Sequence, residues 1–322
     1  MSNLSFLFAL PLALAATAVH AQQFPVSIEH AYGSTTIEAQ PQRVVTWGWG
    51  NEDAAIALGV VPVGMPFQSY GGGDDGVQPW IEQALAARNV PPPTMLKSGE
   101  EPPFEQILAL NPDLILAVFS GITEEQYARL STIAPTVAYS GDAYSSPWQD
   151  VTRTVGTALG KADEAEALVA ETTGWLQSEF AKYPKLSEIT FSSANDFDGS
   201  IAVYAPLDAR MKFLTDLGLH LDPSVSALAP DDGAFFYSLS YELFNKLEGD
   251  IFVTYYEEQK ALDEWLTRSY VQGYPVIANG GLAALVGTEN VAAVSPPSAL
   301  SLRWGFPAYL KVLADAADRV AQ

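Results

Sequence analysis

Two stretches far apart in the chain carry one pattern, and it constrains the fold more than any other feature. Glu105 is followed by Leu110 five positions on and by Asp113 eight positions on, where the apolar run Leu114-Ile115-Leu116 begins. Glu242 is followed at the same offsets by Leu247 and Asp250, and then by Ile251-Phe252-Val253. Each stretch reads as a short helix feeding a buried strand. A chain that states this unit twice is expected to build two similar lobes, each with an acidic residue opening a helix. Paired handles of this kind suit a partner that grips both lobes at once.

The rest of the chain supports an α/β reading. From Arg43 short apolar runs alternate with helical segments: Val44–Trp47, 51–58, 61–65, 79–87, 105–110, 114–119, 123–133 and 136–139. This is the rhythm of a parallel βα lobe, and Thr123 with Gln126 forms a capping box ahead of its helix. Between Ser146 and Tyr183 there is no strand signal, only helix at 148–159 and 162–182. In the second of these Ala165, Leu168, Val169, Thr172, Leu176 and Phe180 recur at helical spacing, giving a stiff rod of roughly 30 Å. After Pro184 the alternation resumes, with strands expected at 189–193, 201–204, 250–256, 276–278 and 291–294, a helix at 209–217 and a closing helix from Ala308. The expected organisation is two Rossmann-like lobes, 22–146 and 185–322, joined by a helical link at 147–184.

At 322 residues and 48% hydrophobic content the chain can bury a core in each lobe. Its net charge of -22 argues against nucleic acid or an anionic membrane as partner, because phosphate binding needs clustered Lys and Arg. Cysteine is absent, which excludes disulfides, thiolate metal sites and a cysteine nucleophile. Residues 1–21 carry an apolar core, Leu7 to Ala16, followed by Val19-His20-Ala21, and read as a signal peptide cut before Gln22, although no Lys or Arg precedes the core. Export is the expectation, without a lipid anchor since no Cys follows the signal.

No catalytic constellation assembles. His20, His30 and His220 are scattered, and His20 leaves with the signal, so neither a histidine zinc site nor a triad is available. Gly48-Trp49-Gly50 follows the first strand as a phosphate loop would, but places a Trp where small residues are needed and continues into Glu52 and Asp53. The acidic pairs Asp74-Asp75 and Asp231-Asp232 read first as solvated loop charges, with a general acid and base or calcium ligands as the alternatives.

Aromatic residues at strand ends are more informative, because ligands of open α/β sheets sit beyond the carboxyl ends of the strands. Trp47, Trp49, Tyr70, Tyr144, Tyr204, Phe236, Tyr237 and Tyr255 are the ligand-contact candidates, drawn from both lobes. Roughly half of such a set is expected to be core packing, and Trp49, Tyr70 and Tyr237, with polar or Gly neighbours, are the strongest. Arg210 and Arg303 sit in apolar sequence, where a guanidinium needs either a carboxylate partner or ligand oxygens.

The chain resembles the substrate-binding proteins of bacterial iron-siderophore ABC transporters, a family that also includes cobalamin and haem binders. The likeness runs from about Pro41 to the C-terminus. It is carried by Arg43-Val44-Val45-Thr46-Trp47, by Glu52-Asp53 through Gly64, by Glu105-Gln106-Ile107-Leu108-Ala109-Leu110-Asn111-Pro112-Asp113-Leu114-Ile115, and by Leu130 through Val137. The resemblance implies two α/β lobes bridged by a long helix, a shallow cleft between them and little hinge motion. It implies that Glu105 and Glu242 dock on arginines of an inner-membrane permease. It also implies a non-enzymatic periplasmic monomer without intrinsic cofactor, holding iron(III) only through a siderophore. Tricatecholates would call for several cleft arginines and be repelled by the net charge, so a neutral or cationic hydroxamate chelate is expected. Haem, with Tyr144, Tyr204 or Tyr255 as axial donor, or cobalamin is the alternative ligand. An exported hydrolase using a carboxylate pair in the same cleft is the alternative class.

Overall fold

The apolar runs after Asp113 and Asp250 are central strands, buried on both faces as parallel strands under helices must be. The computed structural model describes residues 24–197, 199–230 and 235–320, so the signal-peptide reading lies outside the described residues. A hairpin of β1 (Val26–His30) and β2 (Gly33–Ile37) opens the described chain. The strands β3 (Val44–Thr46), β4 (Gly64–Pro66), β5 (Thr94–Leu96), β6 (Leu114–Leu116) and β7 (Thr136–Val137) follow. They form a parallel five-stranded sheet in the order β5-β4-β3-β6-β7.

The second sheet contains β8 (Thr190–Phe197), β9 (Ser200–Tyr204), β10 (His220–Leu221), β11 (Phe236–Leu239), β12 (Ile251–Tyr256) and β13 (Leu282–Val286). Its order is β11-β9-β8-β12-β13, with β10 beside β8. Unlike the first sheet it is mixed: β10, β12 and β13 extend it in parallel, while β9 runs antiparallel to β8 and to β11. Phe197 pairs with Ser200 and Gly199 takes a left-handed φ of 81°, so β8 turns straight back without room for a crossover helix.

Two expected strands are helices. Residues 275–278 start on Pro275, whose ring suits the first helical position, and 288–292 is a helical turn after Gly287. The strand lies between them, at β13, where Leu282 to Val286 alternate half-buried and buried.

The repeated Asp has a visible task. Asp113 accepts from the backbone N–H groups of Gln42 and Arg43, both at 2.8 Å, and donates its own N–H to the Arg43 carbonyl. Asp250 accepts from the Thr190 N–H at 2.7 Å and donates to the Thr190 carbonyl. In each lobe this residue clamps the start of the first strand of the large sheet to its neighbour. The helix ahead of it is α-helical in the first lobe (Phe104–Ala109) and 3₁₀ in the second (Tyr241–Lys246).

Helices Trp148–Ala158 and Ala162–Phe180 carry the chain between sheets. The closing helix Ala299–Val320 lies across both lobes. Its Trp304 meets Trp80 of the first lobe at 5.7 Å between ring centres, and its Phe306 meets Trp175 of the linking helix at 6.0 Å. Trp80, Ile56, Met65 and Ile81 share one apolar cluster with Ala292, Ala293, Leu300 and Trp304. Swinging the lobes apart would expose this seam to water, so it opposes wide hinge motion.

Candidate functional site

Gly48 shapes the rim of the first lobe. It holds φ at 97°, and a Cβ there would lie 2.3 Å from the Phe119 carbonyl oxygen, so no other residue lets β3 cross so close to the end of β6. Buried Asn51 then staples the two strand ends, donating to the Trp47 carbonyl at 2.9 Å and accepting from the Val118 N–H at 2.9 Å. Gln68 adds a bond to the Gly48 carbonyl at 3.0 Å. The result is a rigid platform that turns Trp47 inward and Trp49 outward.

Trp49 is half-buried, with its ring 6.0 Å from that of Tyr70. Burial, and then the charge of Glu257, push the Tyr70 phenol up to about 12. Farther along the rim Tyr144 is 49% exposed, stands edge-on to Phe119 at 5.7 Å, and lies so close to Gly121 that a Cβ there would clash with its ring.

The second lobe contributes a stack centred on Arg210. Its guanidinium carbon lies 3.7 Å from the centre of the Tyr204 ring and 5.6 Å from that of Tyr255. One edge of the guanidinium is taken by Asp208, Nε donating to Oδ1 at 2.8 Å and Nη2 to Oδ2 at 2.6 Å. Burial alone would lower the Arg210 pKa, but the bonds and charge of Asp208 outweigh it and hold the group above its usual range. Beneath the stack, the Tyr255 hydroxyl shares a 2.7 Å hydrogen bond with that of Tyr309, and burial raises both phenols. Phe236, 55% exposed on β11, sits directly across from Tyr204 in the strand register.

Trp49, Tyr70, Tyr204 and Arg210, with Tyr255 beneath, thus form one aromatic lining. Tyr144 and Phe236 stand on exposed rims, and three candidates fall elsewhere. Trp47, 7% exposed, packs with Leu96, Phe104 and Ile115 in the core, because it precedes the Gly48 turn. Tyr237, 4% exposed, points the opposite way from Phe236 on alternating β11 and donates to the Val225 carbonyl at 2.7 Å. Arg303 lies along the linking helix, paired with Glu171 at 2.8 Å and over the Trp175 ring at 4.5 Å. The sequence reading missed Asn51, Gln68, Asp208 and Tyr309. Asp208 had a signal, standing at the N-cap two positions before Arg210 and accepting from its N–H.

Behind Trp49 the space between the lobes narrows into a cavity of about 100 Å³. On outer faces of the two lobes, Glu105 and Glu242 are exposed, and each has an exposed leucine close by, Leu108 at 60% and Leu243 at 42%. Among the described residues no group of His, Cys, Asp and Glu could hold a metal ion. No described helix is long and apolar enough to cross a membrane.

Two α/β lobes joined through a helix, sealed by a closing helix and facing each other across an aromatic cleft, define a two-lobed ligand-binding protein. The chain belongs to the periplasmic binding protein family, whose model matches residues 71–285. It is 26% identical over 250 residues to the Fe(3+)-citrate-binding protein YfmC of Bacillus subtilis, covering 77% of this chain and 74% of that one. The Fe(3+) dicitrate-binding periplasmic protein FecB of Escherichia coli is 25% identical over 248 residues, covering 75% and 76%. Among solved structures, Streptococcus pneumoniae PiaA in complex with ferrichrome superposes with a TM-score of 0.81 at 32% identity, covering 91% of this chain and 99% of that one. These relatives are binding proteins and not enzymes, in agreement with the family resemblance read from the sequence.

Proposed function

We propose that this protein binds a ferric siderophore of the neutral or cationic hydroxamate kind in the periplasm and delivers it, as a monomer, to an inner-membrane ABC permease. In this reading 22–146 and 185–322 are the jaws and 147–184 the link. One observation carries the choice of ligand: the guanidinium of Arg210 stacks on the aromatic lining but is already neutralised by Asp208. A charge-compensated Arg offers hydrogen bonds from its other edge to ligand oxygens without a surplus of positive charge for a strongly anionic chelate. PiaA, solved with ferrichrome, a hydroxamate chelate, supports the same class.

Haem and cobalamin are less well served. Of the three phenols considered as axial donors, Tyr255 is buried against Tyr309 and Tyr204 lies flat under Arg210, both with raised pKa, which leaves Tyr144.

Ferrichrome added to the protein should quench tryptophan fluorescence, and Trp49→Ala should weaken its binding by about 1 to 3 kcal/mol, as loss of a stacked aromatic does. A ferric tricatecholate should bind far more weakly. Tighter binding of the tricatecholate, or an unchanged ferrichrome affinity in a folded Trp49→Ala protein, would remove the hydroxamate reading.

Arg210→Lys keeps the charge but loses the planar fork that serves Asp208 and the ligand together. The expected loss is about tenfold in ferrichrome affinity with the net charge unchanged. Equal affinity by calorimetric titration would reduce Arg210 to a structural partner of Asp208.

A further inference from the structure

The cavity behind Trp49 is separate from the lining around Arg210. Trp49 and Phe119 border it, but Tyr70, Tyr144, Tyr204, Arg210 and Tyr255 do not. Helix Ala209–Leu217 divides the two spaces: Arg210 lies over Tyr204, while Ala209, Lys212, Phe213 and Asp216 line the cavity. Its far wall is the linking helix, through Thr173, Leu176 and Gln177. Large apolar side chains dominate the lining, Trp49, Phe119, Trp148, Leu176 and Phe213 among them. Lys212 and Asp216 face each other at 3.8 Å, so the cavity walls offer no unbalanced charge.

We infer that this cavity receives an aliphatic arm of the bound chelate: the natural ligand is an amphiphilic hydroxamate, with its iron centre in the aromatic cleft and an acyl chain passing Trp49. The inference rests on the ferric hydroxamate reading above and adds the chemistry of the ligand's tail. An apolar space of about 100 Å³ that shares Trp49 with the ligand cleft favours hydrocarbon over water. Each methylene seated there favours binding about fourfold, so a partly inserted chain already shows as a large preference.

The test compares two chelates with the same iron centre and charge, ferrioxamine B acylated on its free amine with acetyl or with decanoyl. The decanoyl chelate should bind the full-length protein at least about tenfold more tightly, two buried methylenes sufficing for that factor. Thr173→Phe, which fills the cavity from the half-buried face of the linking helix, should abolish the preference and leave the acetyl chelate's affinity unchanged. Decanoate alone should not displace the acetyl chelate, which sits on the other side of Trp49. Equal binding of the two chelates by the unaltered protein overturns the inference, as does a preference that survives in folded Thr173→Phe. Failure of both chelates to bind overturns the hydroxamate reading, and this inference with it, so the two failures are distinguishable.

Discussion

Glu52→Gln should raise the melting temperature of the protein at about pH 8.5 and leave it little changed at about pH 5. Glu52 and Asp53 are consecutive carboxylates, both buried, in the first turn of the helix that starts at Asn51. Gln68 donates to Glu52 Oε1 at 2.9 Å, but Oε2 is buried with no hydrogen-bond partner. Asp53 is better served, accepting from Trp80 Nε1 at 2.7 Å and from the Ser298 hydroxyl of the second lobe. Burial, and then the charge of Asp53, push the Glu52 carboxyl above the ordinary carboxylate range against the pull of Gln68. Burial raises Asp53 as well, against the pull of its hydrogen bonds from Ser298 and Trp80.

Raised carboxyls keep protons in the folded protein that the unfolded chain has already released. Their contribution is therefore complete below the unfolded pKa of about 4 and is lost as pH rises through the folded values. Gln at position 52 does not titrate. Its gain at high pH should be on the order of 2 kcal/mol, reduced by any amide N–H left facing the unpartnered site. Melting curves of the two proteins across this range are the measurement. Parallel pH dependence would show that Glu52 is not a buried, proton-holding group.

Glu105→Ala with Glu242→Ala should leave ferric chelate binding within about twofold of the parent and reduce cellular iron uptake by more than about tenfold, because ion pairs desolvated at an interface weigh more than exposed ones. Neither glutamate forms an ion pair among the described residues, so both remain available for a permease arginine. Hydrogen bonds from its own backbone and from Ser240 lower the pKa of Glu242, which keeps that carboxylate charged. The exposed Leu108 and Leu243 give the surface beside each glutamate an apolar part that would desolvate such a pair. Stability should change little, because each exposed carboxylate contributes only a weak interaction with a first helical turn. Normal uptake by a strain carrying only the double variant would remove the docking role from both residues.

Parts of the fold were legible because their determinants are local. The Glu-Leu-Asp echo marked equivalent units, and its Asp clamps a first strand in each lobe through short-range geometry. The linking helix could be read from periodicity alone, with Ala165, Val169, Thr172, Leu176 and Phe180 all buried on one stripe. Short apolar triplets were ambiguous: 276–278 and 291–294 have strand composition, but Pro275 and Gly287 open helical turns. Three apolar residues satisfy either period, so length cannot arbitrate.

Two α/β lobes, a stiff link and a chain without thiol or histidine chemistry were legible in the residues alone, because hydrophobic spacing and residue inventory need no partner to be read. Which aromatic residues face the cleft depends instead on contacts between distant segments. Trp47 and Trp49 are two positions apart, yet the left-handed turn at Gly48 sends one to the core and the other to the side of Tyr70. Arg210 and Arg303 look alike in apolar sequence, but one lies over Tyr204 and the other over Trp175. The burial of Glu52 and Asp53 was equally hidden, since it depends on Gln68, Trp80 and Ser298 arriving from elsewhere in the chain. Burial face is set by neighbours three or four residues away, whereas membership of a cleft is set by contacts between segments up to hundreds of residues apart.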